Sequence, residues 1–325
     1  MTAVMVVAEH DRGTLAPATL EAMTAARSVA AAIGVEVHAL TIGADGDDLA
    51  ADLGAHGATV VHQAHHDVLS DYGPEAWGDV VAQAVRTIEP VMIVATGTDR
   101  GNEIVANAAA RLDLPFAANC VELEVDGDRL GLTRLRWGGS LLERAAMGGG
   151  VHLVTVAHHH FDVAPASVPQ EPVVTDLDVS IAPALARSVV VDRIEREAGA
   201  TLATSPVVVG GGRGVGSAEA FAPLEELAVA LGGVVGCSRA VTNNGWRNHA
   251  DQVGQTGTRI APEVYFACGI SGAIQHWVGA MASKQIIAIN TDREANMVTK
   301  ANYAVIGDLH EVVPAITAEI ERRRA

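Results

Sequence analysis

PVVVGGGRGVGSAEAFAPLEELAVAL, residues 206–231, decides the fold class of the second half of this chain. Three valines, which favour a strand, run into a glycine-rich turn, and a Leu- and Ala-rich pattern then predicts a helix over Ser217–Leu231 with Ser217 as its cap. A buried strand that enters a helix through glycines opens a βαβ unit, and such units build a parallel sheet. The glycines permit positive φ and let backbone N–H groups approach an anion at the helix start.

This glycine loop matches neither of two common phosphate-binding patterns. Read from Gly210 or Gly212, the dinucleotide pattern G-x-G-x-x-G meets Val or Ser in its last position. The P-loop pattern fails because Ser, not Lys, follows Gly216. ATP hydrolysis and ordinary NAD binding are therefore disfavoured. A tight turn without a ligand stays an alternative, although Arg213 among the glycines favours a diphosphate ligand.

Alternating apolar runs and helical patterns continue along the chain and predict two α/β domains, each a mainly parallel sheet flanked by helices. The segment 120–158, with glycine turns between extended pieces, predicts an antiparallel extension of the first sheet. The segment 161–187 holds four prolines and reads as a linker or a wrapped loop. We therefore expect a first domain at 1–187, which serves subunit association, and a second at 188–325.

Length and composition agree with this division and exclude several classes of protein. At about 150 residues per domain, 325 residues predict two domains. A net charge of −17 argues against nucleic acid and anionic membranes as partners. The chain lacks an uninterrupted apolar stretch of 18 residues, so an integral membrane protein is not expected. Three scattered cysteines predict a reducing, cytoplasmic location.

Polar loops follow other predicted strands of the second half. They are Cys237–Arg239, Gln252–Thr258 and Cys268–His276, and Asn290 ends a further strand. Ligands of open α/β sheets collect at the carboxyl ends of strands. Because these loops carry glycines and hydrogen-bonding side chains with almost no carboxylates, they predict a site for a large polyanionic cofactor. Ser271 is expected to cap a helix whose first N–H groups face an anion.

The stretches GGRGVGS, GCSRA, QVGQTGTRIAPEVYFACGISGAIQH and AINTD, in this order, resemble the α subunit of the electron-transfer flavoproteins. The resemblance is dense over about 206–310, and the first half is similar only in length and pattern. It implies FAD in a flavodoxin- or Rossmann-like second domain and a heterodimer with a β subunit, which can hold AMP. It also implies an electron carrier without substrate turnover of its own. Its electrons would come from flavin-dependent dehydrogenases, such as the acyl-CoA dehydrogenases of fatty acid oxidation, and pass to a membrane quinone reductase.

The resemblance assigns a role to individual residues. Arg213 and Ser238 would meet the FAD diphosphate, and Arg239 would lie over the isoalloxazine ring. Thr256 would bond flavin N5 and His276 would face flavin O2. Asn243 and Thr258 depart from the Asp and Lys common in the family, which leaves the subtype open. The implied FAD-binding residues are Arg213, Ser238, Arg239, Val253, Gly254, Gln255, Thr256, Ser271, Gly272, Ala273, Ile274, Gln275, His276, Asn290 and Asp308.

Other candidate groups are given structural roles. The histidines at 62–66 and the run His158–His160 are candidate metal ligands. However, adjacent histidines on a strand point to alternate faces and cannot converge on one ion. We therefore predict no metal site. Cys237 and Cys268 have no base nearby in sequence and are expected to be buried apolar groups. Without the resemblance, His276 would read as an ordinary helix histidine.

Two classes of function stay open at this stage. The first is the FAD-containing electron carrier. The second is a non-redox sensor or adenylyl-transfer module that binds AMP or ATP in the same α/β site. A flavin absorption spectrum distinguishes the two.

Overall fold

A computed structural model describes residues 3–127, 129–191 and 200–324 of the chain. Contacts divide the chain into two units, Met1–Ile194 and Glu195–Ala325, which are described separately. The α/β class, with one large sheet in each unit, is confirmed. The predicted boundary between 187 and 188 stays a prediction, and residues 192–199 lie outside the described ranges. Among the described residues, every helix is too short or too polar to cross a bilayer.

The first unit is built on a nine-stranded sheet with four helices. Its strands are β1 (Ala3–Val7), β2 (His10–Asp11), β3 (Thr14–Leu15), β4 (Glu36–Ile42), β5 (Val60–Ala64), β6 (Met92–Thr96), β7 (Phe116–Asp126), β8 (Arg129–Arg136), β9 (Leu141–Gly148), β10 (His152–Val156) and β11 (Val173–Leu177). Its helices are α1 (Pro17–Ile33), α2 (Ala50–Ala55), α3 (Pro74–Ile88) and α4 (Asp99–Leu112). The large sheet has the order β11-β5-β4-β1-β6-β10-β7-β8-β9, and β2 pairs with β3 alone.

Local signals in the sequence explain where these elements lie. All five residues of β1 are buried, as expected for a central strand with both faces covered. Helix α1 starts at Pro17, which suits a first helical position, and ends at Gly34, whose φ of 69° closes the last turn. Thr98 caps α4 by accepting a hydrogen bond from the Gly101 N–H.

Two predictions for the first unit are wrong in part. The proline-rich segment 161–187 is more than a linker, because β11 within it pairs in parallel with β5. Val179 and Ile181 then enter the core, and this burial holds the segment on the sheet. The antiparallel extension comprises β7, β8 and β9 only. The fully buried β10 pairs in parallel with both β6 and β7, so it is an interior strand of the sheet.

The histidine run lies outside any strand, which contradicts the premise of the sequence argument. Strand β10 ends at Val156, and residues 158–160 form a turn. His159 has a φ of 64°, in the left-handed region. Successive side chains therefore do not alternate between two faces, and adjacent rings can point the same way.

The second unit contains one sheet with five parallel strands. Its strands are β12 (Val207–Gly211), β13 (Val234–Cys237), β14 (Val264–Cys268), β15 (Gln285–Asn290) and β16 (Tyr303–Ile306). Its helices are α5 (Ala222–Leu231), α6 (Arg239–Asn243), α7 (Ile274–Ala280), α8 (Asn296–Lys300) and α9 (Leu309–Arg324). The order β13-β12-β14-β15-β16 is the 2-1-3-4-5 arrangement of flavodoxin-like sheets. The connections after β12 and β14 leave the sheet in opposite directions, so these two strands flank its switch point.

Two predicted helix starts in this unit lie too early in the chain. The helix expected from Ser217 begins only at Ala222, after short 3₁₀ turns at Arg213–Val215 and Glu219–Phe221. The helix expected at Ser271 begins at Ile274, and Ser271 does not cap it. Glycine and β-turn preferences delay both helices, which leaves longer loops at the carboxyl end of the sheet.

Candidate functional site

The loops after β12 and β14 meet at the switch point. The Gly212 N–H donates to the Cys268 carbonyl at 2.8 Å, and the Gly214 N–H donates to the Gly269 carbonyl at 3.1 Å. A Cβ atom on Gly212 would lie 2.2 Å from the Gly269 oxygen, far inside a normal contact. Glycine at position 212 is therefore required for the two loops to approach each other.

A cavity of about 540 Å³ opens at this switch point. Such a volume is typical of a site for a small molecule or cofactor. Nine of the fifteen predicted site residues line it, and six further residues were missed. The lining residues are Arg213, Gly214, Ser238, Arg239, Ala240, Gly269, Ile270, Ser271, Gly272, Ala273, Gln275, His276, Asn290, Asp292 and Ala295.

The cavity wall is rich in hydrogen-bond donors that have no protein partner. Arg213 and Arg239 are exposed, and neither guanidinium forms an ion pair or hydrogen bond with a described residue. The backbone N–H groups of Ile270–Ala273 likewise donate to no described group. Ser238 is buried, and its hydroxyl does not cap α6. Four free N–H groups, two guanidinium groups and a hydroxyl at one opening form an anion-binding site.

His276 lies in the first turn of α7 and is almost fully buried, at 7% exposure. Its Nε2 atom is 2.8 Å from the hydroxyl of Tyr265, which lies beneath it on β14. Burial lowers the pKa of His276 to about 4, and the backbone of Val253 acts in the opposite direction. The imidazole is therefore neutral at pH 7. Its Nδ1 atom is buried without a hydrogen bond of normal geometry to any described residue, so a ligand in the cavity can complete its bonding.

The loop Val253–Thr256, which the resemblance places beside the flavin ring through Thr256, packs against α7 and does not line the cavity. The Gln255 N–H donates to the Gln275 carbonyl at 2.7 Å, and Val253 is only 1% exposed. The hydroxyl of Thr256 accepts a hydrogen bond from the Gln252 amide at 3.0 Å. This loop therefore supports the cavity wall in the structure, while its contact with flavin stays a prediction.

Of the remaining predicted residues, one lines the cavity and two lie outside it. Asn290 lines the cavity, and its amide donates to the Ile270 carbonyl at 3.1 Å. Ile274 is 48% exposed and lies outside the lining. Asp308 also lies outside it, where its carboxylate accepts the His310 N–H at 2.9 Å and caps α9.

Asp292 is the missed residue with the clearest chemistry. It follows Asn290, whose side chain accepts its N–H at 3.1 Å, and it brings a carboxylate to the cavity wall. Its place just after the end of β15 is the signal that identifies it, because strand ends supply ligand contacts in parallel sheets. The other missed residues are small or apolar and reach the cavity through their backbone or by packing.

The cysteines at the strand ends are buried, protonated thiols. Cys237 ends β13 and Cys268 ends β14, and both are buried and free. Burial raises the pKa of each thiol to about 12, so both stay protonated at neutral pH. The prediction that they are buried apolar groups is confirmed.

A parallel sheet with an anion-binding cavity at its switch point defines a nucleotide- or dinucleotide-binding domain. Comparison with known proteins narrows this class. A family profile described as "Electron transfer flavoprotein FAD-binding domain" matches residues 201–281, and one described as "Electron transfer flavoprotein domain" matches residues 4–182.

Full-length relatives agree with the two profiles. The electron transfer flavoprotein subunit alpha of Bacillus subtilis is 33% identical over 98% of this chain and 97% of its own. The subunit of the same name from Mycobacterium tuberculosis is 35% identical over the full length of both chains. Protein FixB of Bradyrhizobium diazoefficiens is 33% identical over 98% of this chain and 89% of its own. The chain belongs to the family of electron transfer flavoprotein α subunits.

Proposed function

We propose that this chain binds FAD in its second unit and acts as the α subunit of an electron-transfer flavoprotein. In this role it accepts electrons from flavin-dependent dehydrogenases, such as acyl-CoA dehydrogenases, and passes them to a membrane quinone reductase. The observation that carries the proposal is the group of unpaired N–H donors at Ile270–Ala273 beside Arg213 and Arg239. Such a wall is complementary to a diphosphate, and FAD contains one.

The wall of the cavity divides by chemistry into regions that fit the parts of FAD. Arg213, Ser238 and the N–H groups of Ser271–Ala273 would hold the diphosphate. Asn290 and Asp292, at the end of β15, offer hydrogen-bonding groups to the adenosine hydroxyls. Bound FAD supplies one- and two-electron redox chemistry, which the protein tunes.

The chain supplies one permanent positive charge and one neutral hydrogen-bonding group toward the flavin ring. The guanidinium of Arg239 carries a positive charge and favours negative charge beside it. His276 is neutral because of its burial, so it acts through hydrogen bonding and not as an imidazolium. Arg239 is therefore the main electrostatic contributor, and Tyr265 keeps the ring of His276 in place.

The first unit offers a surface suited to a β subunit. Strand β9 is an edge of the large sheet, and a free edge can pair with another chain. Trp137, Leu141 and Leu142, at the start of β9 and just before it, are 78%, 55% and 67% exposed. We propose that this edge docks the β subunit of the heterodimer, which would hold any AMP. The three free cysteines support a cytoplasmic location.

Cofactor binding by purified protein tests the main proposal. The wild-type chain, co-expressed with a β subunit, should show flavin absorption and release one FAD per α chain on denaturation. Because a charge-assisted hydrogen bond contributes about 1.5–3 kcal/mol, Arg213→Ala should weaken FAD binding about 10- to 100-fold. The matched control is Arg323→Ala, an arginine that pairs with Glu319 on α9, and it should bind FAD normally. Colourless protein that binds ATP or AMP in place of FAD would support the sensor or adenylyl-transfer alternative.

Docking is tested separately from cofactor binding. Leu142→Lys places a charge on the exposed edge and should reduce co-purification of the β subunit. Val173→Lys, at an exposed position on the opposite edge strand β11, is the control and should leave co-purification unchanged. Equal recovery of the β subunit with both variants would contradict the proposed surface.

A further inference from the structure

A second cluster of chemically active side chains lies in the first unit, where one carboxylate faces two adjacent imidazoles. Glu21 belongs to α1, and His158 and His159 lie in the turn after β10. The Oε1 atom of Glu21 is 2.9 Å from Nδ1 of His158 and 3.8 Å from Nδ1 of His159. One candidate ligand atom from each residue lies within 4.8 Å of the other two. None of the three residues is among those that line the cavity of the second unit.

The backbone holds this arrangement in place. The N–H of His159 donates to Oε2 of Glu21 at 2.6 Å, which leaves Oε1 facing both rings. His159 adopts a φ of 64°, so its ring turns to the side of His158. The two ring centroids are 3.5 Å apart with 34° between the planes. A non-glycine residue at positive φ is uncommon, and such strain is concentrated at functional sites.

The contact between His158 and Glu21 has the length of a hydrogen bond but not its geometry. Nδ1 of His158 is buried and only 2.9 Å from Oε1, but it makes no hydrogen bond of normal geometry to any described residue. Buried ring nitrogens are nearly always bonded. Four-coordinate zinc, with bonds of about 2.0–2.1 Å, separates its ligand atoms by roughly 3.3 Å. The observed 2.9 and 3.8 Å lie on either side of that value, and the third separation, between the two imidazole donors, is at most 4.8 Å.

We propose that Glu21, His158 and His159 bind one divalent transition-metal ion of the zinc type. Two imidazoles and one carboxylate form a donor set that zinc uses, whereas calcium and magnesium require mainly oxygen ligands. The side chain of Glu21 is 7% exposed, and those of His158 and His159 are 26% and 16% exposed. Solvent therefore reaches the imidazole side of the site, where water completes the coordination. The ion would tie α1 to the turn after β10.

Zinc titration of the full-length protein tests the proposal. Protein treated with a chelator and then freed of it is titrated with ZnCl₂ in competition with a chromophoric chelator, and wild type should bind one ion tightly. Because loss of even an outer-shell partner weakens metal binding 10–100-fold, His158→Ala and Glu21→Gln should weaken it about 100-fold or more. The control is His160→Ala, which removes the exposed third histidine of the same run and should leave affinity within about twofold, the ordinary measurement error.

Further measurements distinguish loss of a specific metal site from misfolding of the variant and from non-specific binding at the surface. His159→Asn removes the imidazole but keeps a residue that tolerates positive φ, so it should fold normally and still lose the ion. Co²⁺ should give wild type the intense visible bands of a four-coordinate site, and these bands should be absent in His159→Asn. Zinc should also raise the melting temperature of wild type and of His160→Ala only. Equal zinc affinity in wild type and folded His159→Asn, or no tight site in wild type, would overturn the proposal.

Discussion

Gly212→Ala perturbs the contact on which the cofactor site is built. The added Cβ atom would lie 2.2 Å from the Gly269 oxygen and 2.8 Å from the Ile270 Cα, and both are backbone atoms that cannot rotate away. A close carbon–oxygen contact is about 3.3 Å, so the loops must separate by about 1 Å. Overpacking of this kind costs about 1–3 kcal/mol. Loss of the Gly212 hydrogen bond to Cys268 adds about 0.5–1.5 kcal/mol.

The expected total is a loss of about 1.5–4.5 kcal/mol of unfolding free energy, together with weaker FAD binding. Chemical denaturation followed by circular dichroism gives the first quantity, and quenching of FAD fluorescence gives the second. Gly214→Ala, whose Cβ would lie 2.9 Å from the Gly269 Cα, should have a smaller effect. Gly148→Ala has open space around the added atom and should change stability by about 0.5 kcal/mol or less. A Gly212→Ala protein with the midpoint and FAD affinity of wild type would show that the two loops do not meet as described.

Three further predictions concern individual side chains of the second unit. Arg239→Ala should lower the first one-electron potential of the flavin by on the order of 50 mV, since a nearby guanidinium favours the reduced, negatively charged ring. The FAD content of this variant should fall less than that of Arg213→Ala. Potentiometric titration of both variants measures the potentials. Because burial lowers the pKa of His276 to about 4, the unfolded chain binds more protons than the folded chain between that value and about 6.5. Stability should therefore fall on acidification by about 2–3 kcal/mol between pH 7 and 4.5, and urea unfolding of the cofactor-free protein should show a smaller fall in His276→Gln. Asp308→Ala should lower the free energy of unfolding by about 1 kcal/mol through loss of the α9 cap and leave FAD affinity unchanged. A large loss of FAD affinity would instead show that Asp308 contacts the cofactor.

Much of the secondary structure follows from local sequence. The valine run of β12 and the fully buried β1 are visible as apolar stretches, because interior strands of parallel sheets are covered on both faces. Gly34 marks the end of α1 since a left-handed residue closes a helix. Predictions failed where tertiary contacts decide, as in β11, which becomes a strand only because β5 lies beside it.

The same division applies to the cofactor site. Strand-end loops identify Arg213, Ser238 and the 271–276 segment from sequence, because parallel strands bring their carboxyl ends to one edge of the sheet. The sequence did not show that Asp308 caps a helix while Asp292 faces the cavity. Both are acidic residues close to strand ends, and only the path of the backbone beyond each strand separates their roles.

By itself, the sequence determined the α/β class, the family and the position of the anion-binding loops, since these depend on residue type and on spacing along the chain. Only the tertiary structure decided the order of the strands and which side chains meet. Glu21 and His158 are separated by most of the first unit in sequence, yet they lie 2.9 Å apart. The physical reason is that this contact depends on a turn at positive φ and on the packing of α1. Neither feature produces a local pattern in the sequence.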